Sequence, residues 1–261
     1  MIELLIDRLR PFQFRGKARL LHRLSPHGGE RDAVVFGARF RLDLDDYIQR
    51  SIYLGTFEAA ETRLITKYLN RGMTLVDAGA NVGYFTALGA QRVGTEGQVV
   101  AFEPSPYAFQ RLSRMVAENR FANVSAINAG LSDAPGLLKL YLGKESHNHT
   151  PTMVPHANTT ETPVPVQTLD LEMARLGIDS IDLLKIDVEG YEGKVLRGAT
   201  NLLRERRIKA ILCEFNEEWL SKAGSSCARL EELLTGAALI EEPYEGRPLG
   251  LENRFFRLYY R

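Results

Sequence analysis

Hydrophobic and polar positions follow two rhythms along this chain. Residues 34–44 (VVFGARFRLDL) alternate apolar with polar side chains, which predicts a short hairpin or an edge strand. Phe57, Ala60, Leu64, Ile65 and Tyr68 then repeat at helical spacing. Thr56 is placed to cap that helix, with Glu58 in its first turn, and Asn70-Arg71-Gly72 is a stop signal. From there short apolar runs take turns with helical stretches. Residues 73–78, 98–102, 124–128, 181–186 and 208–215 read as strands. Residues 82–92, 105–119 and 192–204 read as helices, the second opened by Ser105 as cap and Pro106 at the first helical position. Residues 238–242 and 255–260 predict an antiparallel pair at a sheet edge. The alternation implies an α/β fold with a mostly parallel sheet covered by helices on both faces.

Residues 143–165 (GKESHNHTPTMVPHANTTETPVP) break the rhythm and predict a loop insertion. No internal repeat is visible. The expected organisation is an N-terminal extension of helix and hairpin over residues 1–52, packed on a main domain over residues 53–261.

Composition narrows the classes. The 261 residues are 44% hydrophobic and 25% charged, as in globular proteins. Lys plus Arg and Asp plus Glu are 33 each, which argues against a dedicated nucleic-acid binder. Residues 1–31 hold seven basic and three acidic residues, read as a solvated face rather than a membrane contact, because Pro11 and Gly16 interrupt an amphipathic helix. No charge-free apolar stretch approaches the roughly 18 residues of a membrane span. The apolar start carries Glu3, Asp7, Arg8 and Arg10, unlike a secretory leader. Cys213 and Cys227 form no CxxC and suit a reducing compartment, so the expected location is cytoplasmic.

The densest chemistry lies at residues 76–86 (VDAGANVGYFT). A strand delivers Asp77 to its carboxyl end, and Gly79, Ala80, Asn81 and Gly83 form a tight turn into a helix, where open α/β sheets bind ligands. Glu103 ends the next strand, 24 residues beyond Gly79, where an acid commonly takes ribose hydroxyls. Asn81 and Tyr84 break the G-x-G-x-x-G dinucleotide pattern. An acid at the first strand end suits an ammonium group better than a pyrophosphate. S-Adenosyl-L-methionine has both an ammonium and a ribose and is preferred over NAD. An NAD-dependent oxidoreductase and a non-catalytic nucleoside-binding module remain the alternatives.

The runs LVDAGANVGYFT (75–86), VVAFEPSP (99–106), AGLSD (129–133) and LLKIDVEGYE (183–192) resemble the FkbM family of S-adenosylmethionine-dependent methyltransferases. LGTFEAAE (54–61), VQTLDL (166–171) and CEF (213–215) extend the likeness. The resemblance implies a Rossmann-like class I methyltransferase with a seven-stranded sheet. It also implies that Asp77 and the Gly79–Gly83 turn hold the methionine part, and that Glu103 takes the ribose. Pro104, Leu131 and Ser132, with Asp133, would border the adenine, while Tyr53 and Glu58 close over the cofactor. The acceptors it implies are hydroxyls of sugars or secondary metabolites.

Asp187 ends a buried strand beside the cofactor turn, and Glu189 follows. Either could orient or deprotonate an acceptor hydroxyl. Either could equally cap a helix or pair with Lys185 or Lys194. The Asn/Asp-Pro-Pro-aromatic run of nucleobase N-methyltransferases is absent, which favours an oxygen acceptor. His147 and His149, with His156 nearby, fit a solvated loop, a lid with a histidine base, or a metal site, of which the metal reading is not adopted. Glu214 and Glu217 either line the acceptor pocket or begin a helix. The expected partner is a small hydroxylated molecule.

Overall fold

The computed structural model describes residues 17–25, 28–143, 151–155, 159–244 and 253–259. Its centre is a seven-stranded sheet. The strands in chain order are β3 (Thr74–Ala78), β4 (Gln98–Phe102), β5 (Val124–Ile127), β9 (Leu183–Ile186), β10 (Ala210–Glu214), β11 (Leu239–Glu242) and β12 (Asn253–Leu258). Across the sheet the order is β11-β12-β10-β9-β3-β4-β5. β3, β4, β5, β9 and β10 are mutually parallel, and β12 runs antiparallel to β10 and to β11. β3 and β9 are buried at every position because helices cover both faces. Successive side chains therefore feed two cores. Leu75, Val99, Leu183 and Leu212 enter one, and Val76, Val100, Leu184 and Ile211 enter the other.

Two helices follow the first two strands of the sheet. α4 (Tyr84–Val93) leaves the turn after β3 at Gly83, whose φ is 92°. α5 (Pro106–Glu118) is capped by Ser105, which accepts from the Ala108 amide, with Pro106 in the first turn. On the other half lie α6 (Leu169–Leu176), α7 (Glu192–Arg197), α8 (Thr200–Arg204), α9 (Glu217–Lys222) and α10 (Cys227–Gly236).

In front of the sheet come α1 (Lys17–Leu24), the hairpin β1 (Glu30–Val35) and β2 (Ala38–Asp43), α2 (Tyr47–Leu54) and α3 (Ala59–Tyr68). Phe36 and Gly37 turn the hairpin, both at positive φ. The sequence did not signal α2. Asp46 caps it through the Gln49 amide and Gly55 ends it in the left-handed region. The expected domain boundary between residues 52 and 53 falls inside this helix. Thr56 is not the cap of the helix that follows. Its hydroxyl donates to the Ser51 carbonyl, and α3 starts three residues later, after Glu58 in a left-handed conformation.

The expected loop at 143–165 is partly a strand. β6 (Gly130–Leu131), β7 (Gly136–Gly143) and β8 (Thr159–Gln167) form a second sheet in the order β6-β8-β7. Pro163 and Pro165 lie where β8 pairs with β7 alone, since β6 reaches only Val166 and Gln167. Their missing amides cost no ladder bond on that open edge. Val164 and Val166 turn inward onto Leu140 and Met153. The single helix expected over 192–204 is two. A side chain at Gly198 would overlap the Ser132 carbonyl oxygen, so the break admits the second sheet's backbone. No helix among the described residues is long and apolar enough to cross a membrane.

Candidate active site

The site begins where β3 ends. Asp77 is fully buried. The Thr86 hydroxyl donates to its Oδ2 at 2.7 Å, while Oδ1 has no hydrogen-bond partner and lies 4.0 Å from Lys185 Nζ. Burial pushes the Asp77 carboxyl up, with Lys185 and Thr86 pulling the other way. Gly79 follows at φ 81°, and a Cβ there would overlap the carbonyl oxygen of Asp187. The turn needs glycine at 79 because a second piece of protein backbone approaches it. Gly83 is favoured by its φ of 92°, and a Cβ there would also press on the side-chain tips of Met115 and Leu112 of α5. Asn81 supplies the third positive φ of the turn, at 50°.

Glu103 stands at the end of β4. Its Oε2 accepts the Asn81 amide and its Oε1 the Ser105 amide, each at 2.8 Å. Burial lifts this carboxyl to about 7 against the pull of those two amides. The Asn81 amide is thereby engaged by a carboxylate, so this part of the turn presents no donor to a pyrophosphate.

Lys185 and Asp187 close the strand-end cluster from β9. Lys185 Nζ donates to Asp187 Oδ2 at 3.1 Å, and the side chains are 6% and 29% exposed, so the carboxylate reaches the cleft and the ammonium is covered. After Asp187 the backbone turns sharply. Glu189 has φ 53° and Gly190 φ 100°. Glu192 Oε1 accepts the amides of Val188 and Gly190, at 3.1 Å each, and so holds the turn from inside. Burial raises the Glu192 carboxyl to about 7. From the other side the Thr152 hydroxyl donates to the Glu189 carbonyl at 2.8 Å.

These elements enclose a cleft of about 1090 Å³ counted with its open mouth. Gly79, Ala80, Asn81, Phe102, Glu103, Pro104 and Leu131 form one wall, and Asp187, Val188, Glu189, Tyr191 and Glu214 form the other. Phe57, Tyr84 and Phe85 make an aromatic side. Tyr84 meets each of the other two edge-on, with centroids 5.1 and 5.0 Å apart. Tyr84 Oη lies 3.0 Å from the Thr62 hydroxyl, and burial pushes the phenol up to about 12.

The structure separates the expected site residues. Glu58, Gly79, Ala80, Asn81, Glu103, Pro104, Leu131, Asp187 and Glu189 line the cleft. Asp77 lies beneath it, behind Lys185. Tyr53 does not close over it. It is buried against a separate surface groove with Arg39 and Phe40. Ser132 points away, its hydroxyl on Asp133, which pairs with Lys194 and Arg197. Asp187 pairs with Lys185 and not with Lys194. Glu217 is also remote, accepting the Cys227 amide at the start of α10. His147, His149 and His156 lie outside the described residues.

Several lining residues escaped sequence reasoning. Lys185 had a signal, a lone charge inside the buried run LLKI. Tyr191 lay inside the LLKIDVEGYE run without a role, while Ile48 and Ile52 on α2, Met153 and Asn253 had no signal, because only the fold brings them to one place. Among the described residues no group of three or more His, Cys, Asp or Glu is arranged to hold a metal.

The model of the Methyltransferase FkbM domain matches residues 77–241, well over half of the chain. The chain belongs to the FkbM methyltransferase family. Methyltransferase sdnD of Sordaria araneosa is 33% identical to this FkbM chain, over 48% of the chain and 59% of the relative. The hexuronic acid methyltransferase AglP of Haloferax volcanii is 29% identical, over 54% of the chain and 56% of the relative. The chain therefore spans little more than half the length of the curated relatives it matches. Among solved structures, the methyltransferase FkbM from Methylobacillus flagellatus shares 15% identity at a TM-score of 0.46, covering 81% of this chain and 54% of its own. The cofactor of the family is S-adenosyl-L-methionine, and the cleft fits it. Its walls carry Glu58 and Asp187 where a cationic group would sit, Glu103 where ribose hydroxyls would, apolar Phe102, Pro104 and Leu131 where a base would, and a glycine turn between them.

Proposed function

We propose that this chain transfers a methyl group from S-adenosyl-L-methionine to a hydroxyl oxygen of a small polyhydroxylated acceptor, a sugar or a secondary metabolite. The observation that carries this reading is Asp187. Its carboxylate reaches into the cleft from a strand end, and its backbone carbonyl packs directly on the cofactor turn at Gly79. The cofactor supplies an activated methyl group when bound. The chain then has two tasks: to hold donor and acceptor in line, worth about 7–11 kcal/mol, and to orient the acceptor hydroxyl. On this reading the Gly79–Asn81 turn and Glu103 hold the donor, with Pro104 and Leu131 against its base. Asp187 orients the hydroxyl and accepts its proton as the oxygen is methylated, and Glu189 extends the acceptor wall. The aromatic side formed by Phe57, Tyr84 and Phe85 keeps water from the reacting atoms.

An oxygen acceptor is supported by the DVEGYE sequence after β9, which has none of the prolines of nucleobase N-methyltransferases. A sugar is supported by the hexuronic acid in the name of the haloarchaeal relative. Cys213 and Cys227 are both free thiols, which supports a reducing compartment such as the cytoplasm. Ile48 and Ile52 line the cleft, so we place the start of the catalytic unit before residue 53 and read the hairpin as its outer support.

The test is calorimetry of S-adenosyl-L-methionine into the full chain, followed by transfer of its tritiated methyl to a panel of sugars and polyols. One-to-one binding, with label appearing as a base-stable ether, is expected. A well-folded sample that binds no cofactor and transfers no label would reject the reading.

A further inference from the structure

Lys185 stands among apolar neighbours on β9, yet its ammonium belongs to the cleft. β9 and β3 pair in parallel register with Lys185 opposite Asp77, so the two side chains share one face of the sheet. The ammonium donates to Asp187 at 3.1 Å, lies 4.0 Å from Asp77 and sits 5.0 Å from the centroid of Phe85. No other Lys or Arg lines the cleft among the described residues. Burial pulls the Lys185 pKa down, but Asp187, Asp77 and Glu58 outweigh it and drive the group up. The acids around Lys185 thus favour its ammonium form.

We propose that Lys185 is the positioning residue of this site, an internal counter-ion that locks the donor turn and the acceptor-side carboxylate into one arrangement. Asp77 Oδ1 is buried with no hydrogen-bond partner, and Lys185 is the cation beside it. Asp187 has one oxygen tied to the same ammonium, and its second oxygen makes no hydrogen bond among the described residues. A single ammonium thus serves both carboxylates. Removing one partner of such a buried set leaves an uncompensated charge. The other titratable groups around this pair include Glu58 ahead of α3, Tyr84 on α4, Glu103 after β4, Glu189 and Tyr191 after β9, Glu192 on α7, and Cys213 and Glu214 on β10. None of them is a cation, so none replaces the missing positive charge.

The inference rests on Asp187 being the acceptor-side acid, but its test does not require an acceptor. The full-length wild type, Lys185→Met, Lys185→Arg, Asp77→Asn and the double variant Asp77→Asn/Lys185→Met are compared. Carbon-13 spectra of the aspartate carboxyls follow Asp77, assigned by its loss in Asp77→Asn. Calorimetry measures S-adenosyl-L-methionine affinity between pH 6 and 8. In Lys185→Met the Asp77 titration moves further up and cofactor affinity falls by about tenfold or more, the loss expected of a charged hydrogen bond. Lys185→Arg, which keeps the charge with a different fork, recovers most of both. The double variant has no orphaned buried carboxylate; it folds, yet it binds the cofactor more weakly than Asp77→Asn alone. Wild-type titration and affinity in Lys185→Met would overturn the proposal. Equal affinity in the double variant and Asp77→Asn would also overturn it, and this comparison decides alone if Lys185→Met does not fold. A wild type that binds no cofactor rejects the methyl-transfer reading. A wild type that binds it regardless of Lys185 rejects only this inference.

Discussion

On the proposed reading, the donor wall of the cleft comes almost wholly from one stretch of chain, residues 79–104 with its backbone turn, and Leu131 alone joins it from β6. The acceptor wall is gathered from α2, from Met153 in the insertion, from the Asp187–Tyr191 turn, from the end of β10 and from Asn253. A local wall is specified by a short motif, because strand, glycine turn and helix cap are consecutive in sequence. A gathered wall depends on tertiary packing, and any one contributor can change without the others. The two walls meet at a backbone contact, the Asp187 carbonyl against Gly79, and at the ammonium of Lys185.

The seam between the two walls is where substitution has the largest expected effect. Gly79→Ala adds a methyl where the Asp187 carbonyl lies, at φ 81°. It is expected to cost about 4 kcal/mol in urea unfolding, from steric overlap and left-handed strain together. Cofactor binding and transfer should be lost together. A stable Gly79→Ala protein with normal binding would show that the walls are not joined there.

Asp187→Asn separates the walls instead. Methyl transfer is expected to fall by about 10² to 10⁴ while cofactor affinity changes only a few-fold. Loss of binding without loss of single-turnover rate would move Asp187 to the donor side.

Acidity tests two buried acids, Glu103 in the cleft wall and Glu192 beneath the turn after Asp187. Both carboxyls are raised to about 7 in the folded chain from an ordinary 4.5. The folded state then holds the proton more tightly than the unfolded state. Their contribution to stability is full below about pH 4.5 and is lost as pH rises through 7, by about 3 kcal/mol each on a simple linkage reading. Glu103→Gln and Glu192→Gln should each flatten the fall in unfolding midpoint between pH 5 and 7.5. An unchanged slope in either variant would mean that its carboxyl titrates normally.

The smallest effect is expected from the insertion. Thr152→Val removes the hydroxyl that donates to the Glu189 carbonyl and accepts the Val154 amide. The loss is about 1 to 2 kcal/mol, read as a higher KM for the acceptor with cofactor affinity unchanged. An equal loss of cofactor affinity would place the insertion over the donor wall.

The strand-helix alternation was visible because each central strand is a short apolar run ending at an acid, and Ser105-Pro106 marks its helix as plainly as any cap can. The Asp77, Gly79 and Glu103 positions came with it. The physical reason for Gly79 did not. Its neighbour is Asp187, more than a hundred residues away in sequence. Tyr53 was misplaced because α2 has no strong start signal beyond Asp46, so the helix that buries it went unseen. The strand β8 was hidden because its prolines read as breakers, and only the open edge of a three-stranded sheet makes them harmless. Lys185 looked like a structural ion pair, since nothing local reveals that Asp77 lies beside it on the next strand.

Ile48 and Ile52 carry the cleft onto a helix that lies outside the family-matched segment, residues 77–241. On the methyl-transfer reading the acceptor wall is thus split between this front segment and the matched body, which also carries Met153, the Asp187–Tyr191 turn and Glu214. Exchanging the front segment between relatives would alter one part of that wall and leave Gly79–Pro104 in place. Conversely, trimming the chain to its recognisable core would strip away part of the acceptor's own container.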